Sequence, residues 1–129
     1  MATYYDTSAL VKLVILETES AAMHSYWTTH SEPASSALAR TELFRAIKDE
    51  EAAAKRQART LLASLDLVVL DDQLLDVAGS LDQNTLKPLD AIHIASALSL
   101  GDSLDKLVTY DKRMIEAAHN LGLSTVSPS

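Results

Sequence analysis

Four acids stand out in this chain, three of them where one element should give way to the next and one inside a helical stretch: Asp6, Asp90 and Asp111, and Glu42. Asp6 follows Thr3-Tyr4-Tyr5 and precedes Thr7 and Ser8. Asp111 closes "LVTYD", Asp90 comes two residues after Pro88, and Glu42 sits in "LARTELFRAI" among Leu38, Leu43 and Ile47. Singly, each has an ordinary explanation. Asp is a favoured N-cap, which suits Asp6 and Asp111. An acid in a first helical turn, as at Asp90, complements the macrodipole. Glu42 and Arg45 have the i,i+3 spacing of a helical ion pair. Jointly the four have another explanation. Carboxylates brought together repel one another and require cations or protons. Oxygen donors without a histidine or cysteine cluster suit Mg2+ or Mn2+. Such an ion polarises a phosphoryl oxygen, activates water and stabilises a leaving oxygen. The chemistry is then metal-assisted hydrolysis of a phosphodiester.

Several neighbours could serve that chemistry. Ser8 can cap a helix beginning near Ala9, or hydrogen-bond Asp6 or an activated water. His93 lies three residues after Asp90, so both share a helix face. It is either a partner of the acids or substrate, or a buried histidine satisfied by backbone. Arg113 follows Asp111 at a helix start, where a cation opposes the dipole. A phosphate contact or plain solvated charge explains it, and Arg45, one turn from Glu42, is alike. Tyr4, Tyr5, Trp27 and Phe44 read as core or interface, and His24, His30 and His119 as surface helix residues.

Whether the acids meet depends on the elements between them. Ala2–Tyr5 reads as a short strand, Ser8–Leu16 as a mostly buried helix and Glu19–His30 as a second helix. After Pro33, Ala34–Ser36 is extended. Ala37 to about Ala54 and then Ala53–Leu65 read as helix with a bend. Leu67–Leu70 is a continuous apolar run, the pattern of a strand covered on both faces. Asp72–Leu81 is helical, Pro88 opens a helix running to about Leu100 and ending at Gly101, and Leu107–Tyr110 is a strand. A helix then runs to Gly122, and "LSTV" forms a last strand. Strands alternating with helices predict an α/β fold, a three-layer α/β/α sandwich with a short, mainly parallel sheet. In such sheets ligands bind at the carboxyl ends of the strands.

The chain has 129 residues, the size of a single domain spanning 1–129, and 47% hydrophobic residues, enough for a core. No apolar stretch is long enough for a membrane span, and the N-terminus lacks the pattern of a signal peptide. There are no cysteines, which excludes disulfides and thiolate metal sites and suits a cytoplasmic setting. A net charge of −7 argues against a non-specific nucleic-acid coat. Yet Arg40, Arg45, Lys48, Lys55, Arg56 and Arg59, six of the 11 basic residues, lie within twenty positions. Asp49, Glu50 and Glu51 balance part of that charge, so solvated helix faces explain Lys55, Arg56 and Arg59, while Arg40 and Arg45 stay open.

Four blocks, "YYDTSALVKLVILETES", "LARTELFRAI", "LDAIHIASAL" and "LVTYDKRMIEAAHNLGL", follow one another over nearly the whole chain. In this order they resemble the PIN-domain ribonucleases, in the short form of the VapC toxins of bacterial and archaeal toxin–antitoxin pairs. The resemblance implies a Mg2+- or Mn2+-dependent endoribonuclease acting on RNA, frequent homodimers, and inhibition by a small VapB-like antitoxin, with which it would form a hetero-oligomer. It carries the family's four acids, which hold the metal, onto Asp6, Glu42, Asp90 and Asp111, with Ser8 and Thr109 as the hydroxyls beside them. Two other classes compete. An Asp-nucleophile phosphatase wants a second Asp two residues after the first, where this chain has Ser8. A non-catalytic protein-binding module would use the acids only as caps. The helices Ser8–Leu16 and Glu19–His30 have more apolar positions than one face needs, which points to a partner surface.

Overall fold

A computed structural model describes residues 1–129. Ala-Thr-Tyr-Tyr forms β1 (Ala2–Tyr5), whose β-branched and aromatic side chains fit a pleated, buried surface. The chain continues through α1 (Thr7–Val11), α2 (Ser20–Thr29), β2 (Pro33–Ser36), α3 (Ala39–Ala46), α4 (Ala52–Ala63), β3 (Asp66–Val68) and α5 (Asp72–Ser80). It closes with α6 (Pro88–Leu98), a 3-10 turn at Gly101–Ser103, β4 (Leu104–Val108), α7 (Lys112–Asn120) and β5 (Thr125–Val126). All four strand pairings are parallel, in the order β3-β2-β1-β4-β5.

That order puts β1 in the middle and fixes where the helices go. From β1 the sheet first grows toward β3, and α1 to α4 make those crossovers. It then resumes on the other side of β1, and α5 to α7 make the remaining crossovers. Right-handed connections running in opposite directions place their helices on opposite faces. The two tyrosines of β1 show it, because successive side chains point to opposite faces of a strand. Tyr5 packs with Leu10, Leu13, Met23, Leu43 and Ile47. Tyr4 packs with Ala34, Ile94, Leu107 and Met114. The result is the expected α/β/α sandwich, with the strand order reversing between β1 and β4. A crevice opens at the carboxyl ends of strands at such a reversal.

Four expectations about the elements change. The helix expected over Ser8–Leu16 stops at Val11. Carbonyls freed beyond it are taken by side chains: Gln57 Nε2 donates to the Leu13 carbonyl at 2.6 Å and Ser20 Oγ to that of Ile15 at 3.0 Å. The helix expected over Ala37–Ala54 breaks after Ala46 and restarts at Ala52. Acids at Asp49, Glu50 and Glu51 would oppose the macrodipole at a helix C-terminus but suit the start of the next. The apolar run Leu67–Leu70 is not covered on both faces. It belongs to the edge strand β3, which ends at Val68, and Val69 is 71% exposed. Lastly, β4 starts at Leu104 and ends at Val108, so Thr109–Asp111 becomes a loop at the sheet's carboxyl edge.

No helix is long and apolar enough to cross a membrane. The difference between the central and the edge strand is measurable. Leu107 on β4 is fully buried, so Leu107→Ala should lower stability by about 2–5 kcal/mol in chemical denaturation. Val69→Ala should change it by less than about 0.5 kcal/mol. Equal losses would mean that the 67–70 run is buried after all.

Candidate active site

Because β1 is the middle strand, the residue that ends it is deep, and Asp6 is only 2% exposed. An ionised carboxylate there must be hydrogen-bonded. Ser8 Oγ donates to Asp6 Oδ1 at 2.6 Å, the Ala9 amide donates to the same oxygen at 3.1 Å, and Thr109 Oγ1 donates to Oδ2. Asp6 is thus the N-cap of α1, and Ser8 is not. Ser8 Oγ instead accepts from the Tyr110 amide at 3.0 Å, and Thr109 Oγ1 from the Asp111 amide at 3.1 Å. These two hydroxyls therefore lace the loop after β1 to the loop after β4. Burial pushes the Asp6 carboxyl up from its usual range, and the nearby His93 and the three donors only partly offset this.

Glu42 reaches the same edge from α3, on the opposite face of the sheet from α6, which carries His93. Its Oε1 accepts from His93 Nε2 at 2.6 Å and from Thr7 Oγ1 at 2.7 Å. Burial opposes ionisation of Glu42, but the hydrogen bonds from His93 and Thr7 outweigh it and hold the carboxyl below its ordinary range. His93 is itself 2% exposed, with Nδ1 2.7 Å from the Tyr4 hydroxyl. Of the two readings of His93, partnership with an acid is the one observed.

Asp90 lies in the first turn of α6 behind Pro88, as expected. Its carboxyl is pushed up by partial burial and next by the charge of Asp111, with Glu42 adding and His93 and Lys87 opposing. Asp111 caps α7, its Oδ1 accepting from the Arg113 amide at 2.9 Å. All four acids therefore gather at the carboxyl edge around β1 and β4, although they come from four different helices or their caps. The side chains of Arg45 and Arg113 are exposed there or nearby, and neither forms an ion pair.

The donor set consists of carboxylate oxygens, and the mutual repulsion of Asp90 and Asp111 is what a divalent cation relieves. Asp6, Glu42 and Asp111 are each engaged by hydrogen bonds of the chain. No three acidic or histidine side chains stand close enough to hold one ion. Asp90 accepts no hydrogen bond from the chain, and the capping contact of Asp111 uses Oδ1 alone, which leaves Oδ2 to an ion. The donor chemistry fits a hard cation.

Thr7 and Tyr4 are the residues that sequence reasoning passed over. Tyr4 had a signal: on a strand it shares its face with Asp6, two residues on. Thr7 had only its adjacency to Asp6.

The PIN domain family profile matches residues 3–120. The chain is 47% identical over 128 residues to Ribonuclease VapC46 of Mycobacterium tuberculosis, covering 99% of this chain and 98% of that protein. It is 36% identical to Ribonuclease VapC47 of the same species, covering 97% and 96%. Among solved structures, Mycobacterium tuberculosis VapC20, a sarcin–ricin loop cleaving toxin, aligns with a TM-score of 0.76 at 16% identity, covering 98% of this chain and 99% of that one. A toxin–antitoxin complex from Klebsiella pneumoniae aligns at 0.75 and 19% identity, covering 98% of each chain. At such identities the structural likeness concerns the fold.

The burial of Asp6 has a consequence for stability. With its folded-state pKa raised above the unfolded one, ionised Asp6 costs stability above that window, and the cost vanishes as pH falls below the ordinary carboxylate range. Asp6→Asn should therefore unfold at a higher temperature than the parent at pH 7 without added metal, and the gain should shrink toward pH 4. A variant less stable than the parent at neutral pH would show that the three donors fully compensate the burial.

Proposed function

The chain belongs to the PIN-domain family, with relatives named as VapC ribonucleases, and from that premise we propose that it is a divalent-metal-dependent endoribonuclease, the toxin of a toxin–antitoxin pair. The observation that carries the proposal is a buried, hydrogen-bonded Asp6 at the strand-order reversal with Glu42, Asp90 and Asp111 around it. These four residues would hold Mg2+ or Mn2+. A bound ion would polarise a phosphoryl oxygen, favour ionisation of the attacking water and neutralise charge on the leaving oxygen.

The chain's own groups have separable tasks. Ser8, the Ala9 amide and Thr109 fix both oxygens of Asp6 and leave it no rotational freedom. His93 and Thr7 keep Glu42 ionised, the form that holds a cation. Asp90, raised by partial burial and next by the charge of Asp111, is suited to carry a proton. Arg45 and Arg113 are exposed cations suited to RNA phosphates, the contacts that position a nucleic acid without reading its sequence. The protein would act in the cytoplasm as one nuclease domain over residues 1–129. It would pair with a small VapB-like antitoxin, as a homodimer or as a hetero-oligomer with it. Toxin–antitoxin complexes among its structural neighbours support that partner.

An Asp-nucleophile phosphatase wants a second acid two residues after Asp6, where this chain has Ser8, whose hydroxyl donates to Asp6 Oδ1. Purified protein should cleave RNA on addition of Mg2+ or Mn2+ and not with EDTA. Asp6→Asn and Asp90→Asn should each lower the rate by more than about 100-fold, the upper end for losing an outer partner. Metal-dependent cleavage that survives both changes would overturn the four-acid site. Expression should arrest growth, and a co-encoded small protein should relieve the arrest.

A further inference from the structure

Glu42 is gripped by one oxygen only. Oε1 takes both His93 Nε2 at 2.6 Å and Thr7 Oγ1 at 2.7 Å, while Oε2 accepts nothing from the chain. An ionised carboxylate only accepts hydrogen bonds, so Nε2 must carry the proton in that contact. The other ring nitrogen, Nδ1, lies 2.7 Å from the Tyr4 hydroxyl, and the two rings meet edge-on at 78°. Tyr4 is fully buried. With Nε2 donating to Glu42, the neutral ring offers Nδ1 as an acceptor, and the Tyr4 hydroxyl donates to it. A donor at Nδ1 selects the tautomer protonated at Nε2.

We propose that Tyr4 and His93 form a positioning relay: the Tyr4 hydroxyl, acting with Glu42, holds the His93 ring in one tautomer and orientation, and His93 with Thr7 clamps Glu42 Oε1 so that Oε2 faces the other acids. The relay spans the sheet. Tyr4 belongs to β1, His93 to α6 on one face and Glu42 to α3 on the other. A long acid on a helix has three side-chain torsions, and two donors on one oxygen remove the freedom of the last. Neither Tyr4 nor His93 touches substrate in this scheme. Both act through Glu42, in the way that outer partners orient ligating groups and fix histidine tautomers. The consequence for catalysis rests on the ribonuclease reading, whereas the tautomer does not.

Two measurements on the full chain test the relay. In metal-free protein labelled with 15N-histidine, the imidazole resonance lost in His93→Gln should show a protonated Nε2 and a bare Nδ1. In Tyr4→Phe the contact with Glu42 should keep Nε2 protonated, while the bare Nδ1 resonance should shift downfield on losing its hydrogen bond. A wild-type His93 protonated at Nδ1, or a pattern unchanged by Tyr4→Phe, would overturn the relay whether or not the protein cleaves RNA. In RNA cleavage, Tyr4→Phe should lower kcat by about 10- to 100-fold with KM little changed. In a His93→Gln background, where an amide N–H has no tautomer to choose, Tyr4→Phe should cost nothing more. Additive losses in the double variant would mean that the Tyr4 hydroxyl serves packing alone. Failure of all cleavage with the NMR pattern intact would count against the ribonuclease reading and leave the relay standing.

Discussion

A carboxylate at the end of a middle strand loses its water, and no single hydrogen bond compensates that loss. At Asp6 three donors converge, and where they come from determines much of the local architecture. Ser8 and the Ala9 amide belong to the first turn of the helix that follows β1. Thr109 comes from the end of the neighbouring strand, 103 residues along the chain. Satisfying Asp6 therefore locks α1 onto β1 and ties the β1 loop to the β4 loop at the point where the strand order reverses. Through Ser8 and Thr109 the amides of Tyr110 and Asp111 are held as well, and Asp111 is thereby carried to the site.

Around this anchor the remaining acids are tuned in opposite directions. Hydrogen bonds from His93 and Thr7 pull Glu42 down in spite of its burial, while burial and the charge of Asp111 push Asp90 up. Pairs of carboxyls whose surroundings separate their pKa values commonly divide acid and base duties. By linkage, the ionised forms of Asp6 and Asp90 cost the fold stability at neutral pH, whereas that of Glu42 adds to it.

Much of this was legible in the sequence because it depends on local chemistry. Pro88 opens α6, Gly122 closes α7 at a φ of 78°, and Asp6 and Asp111 cap the helices that follow them. The alternation of strands and helices led to the sandwich, and the four blocks led to the family. What escaped depends on contacts between distant segments. Nothing in "DLVVLDD" distinguishes a central strand from an edge strand, because sheet order is decided by the other strands. The helix expected over Ser8–Leu16 ends early because Gln57, 44 residues away, takes a carbonyl. His93 could be placed beside Asp90, but its partners Tyr4 and Glu42 lie 89 and 51 residues distant.

The central claim is that these acids, anchored by Asp6, share a divalent cation. Direct titration with Mn2+, followed by its electron paramagnetic resonance signal, tests it without any RNA. The account predicts saturable binding that Mg2+ competes away and that Asp90→Asn and Asp111→Asn each weaken. Binding that is absent, or that both substitutions leave untouched, would contradict it.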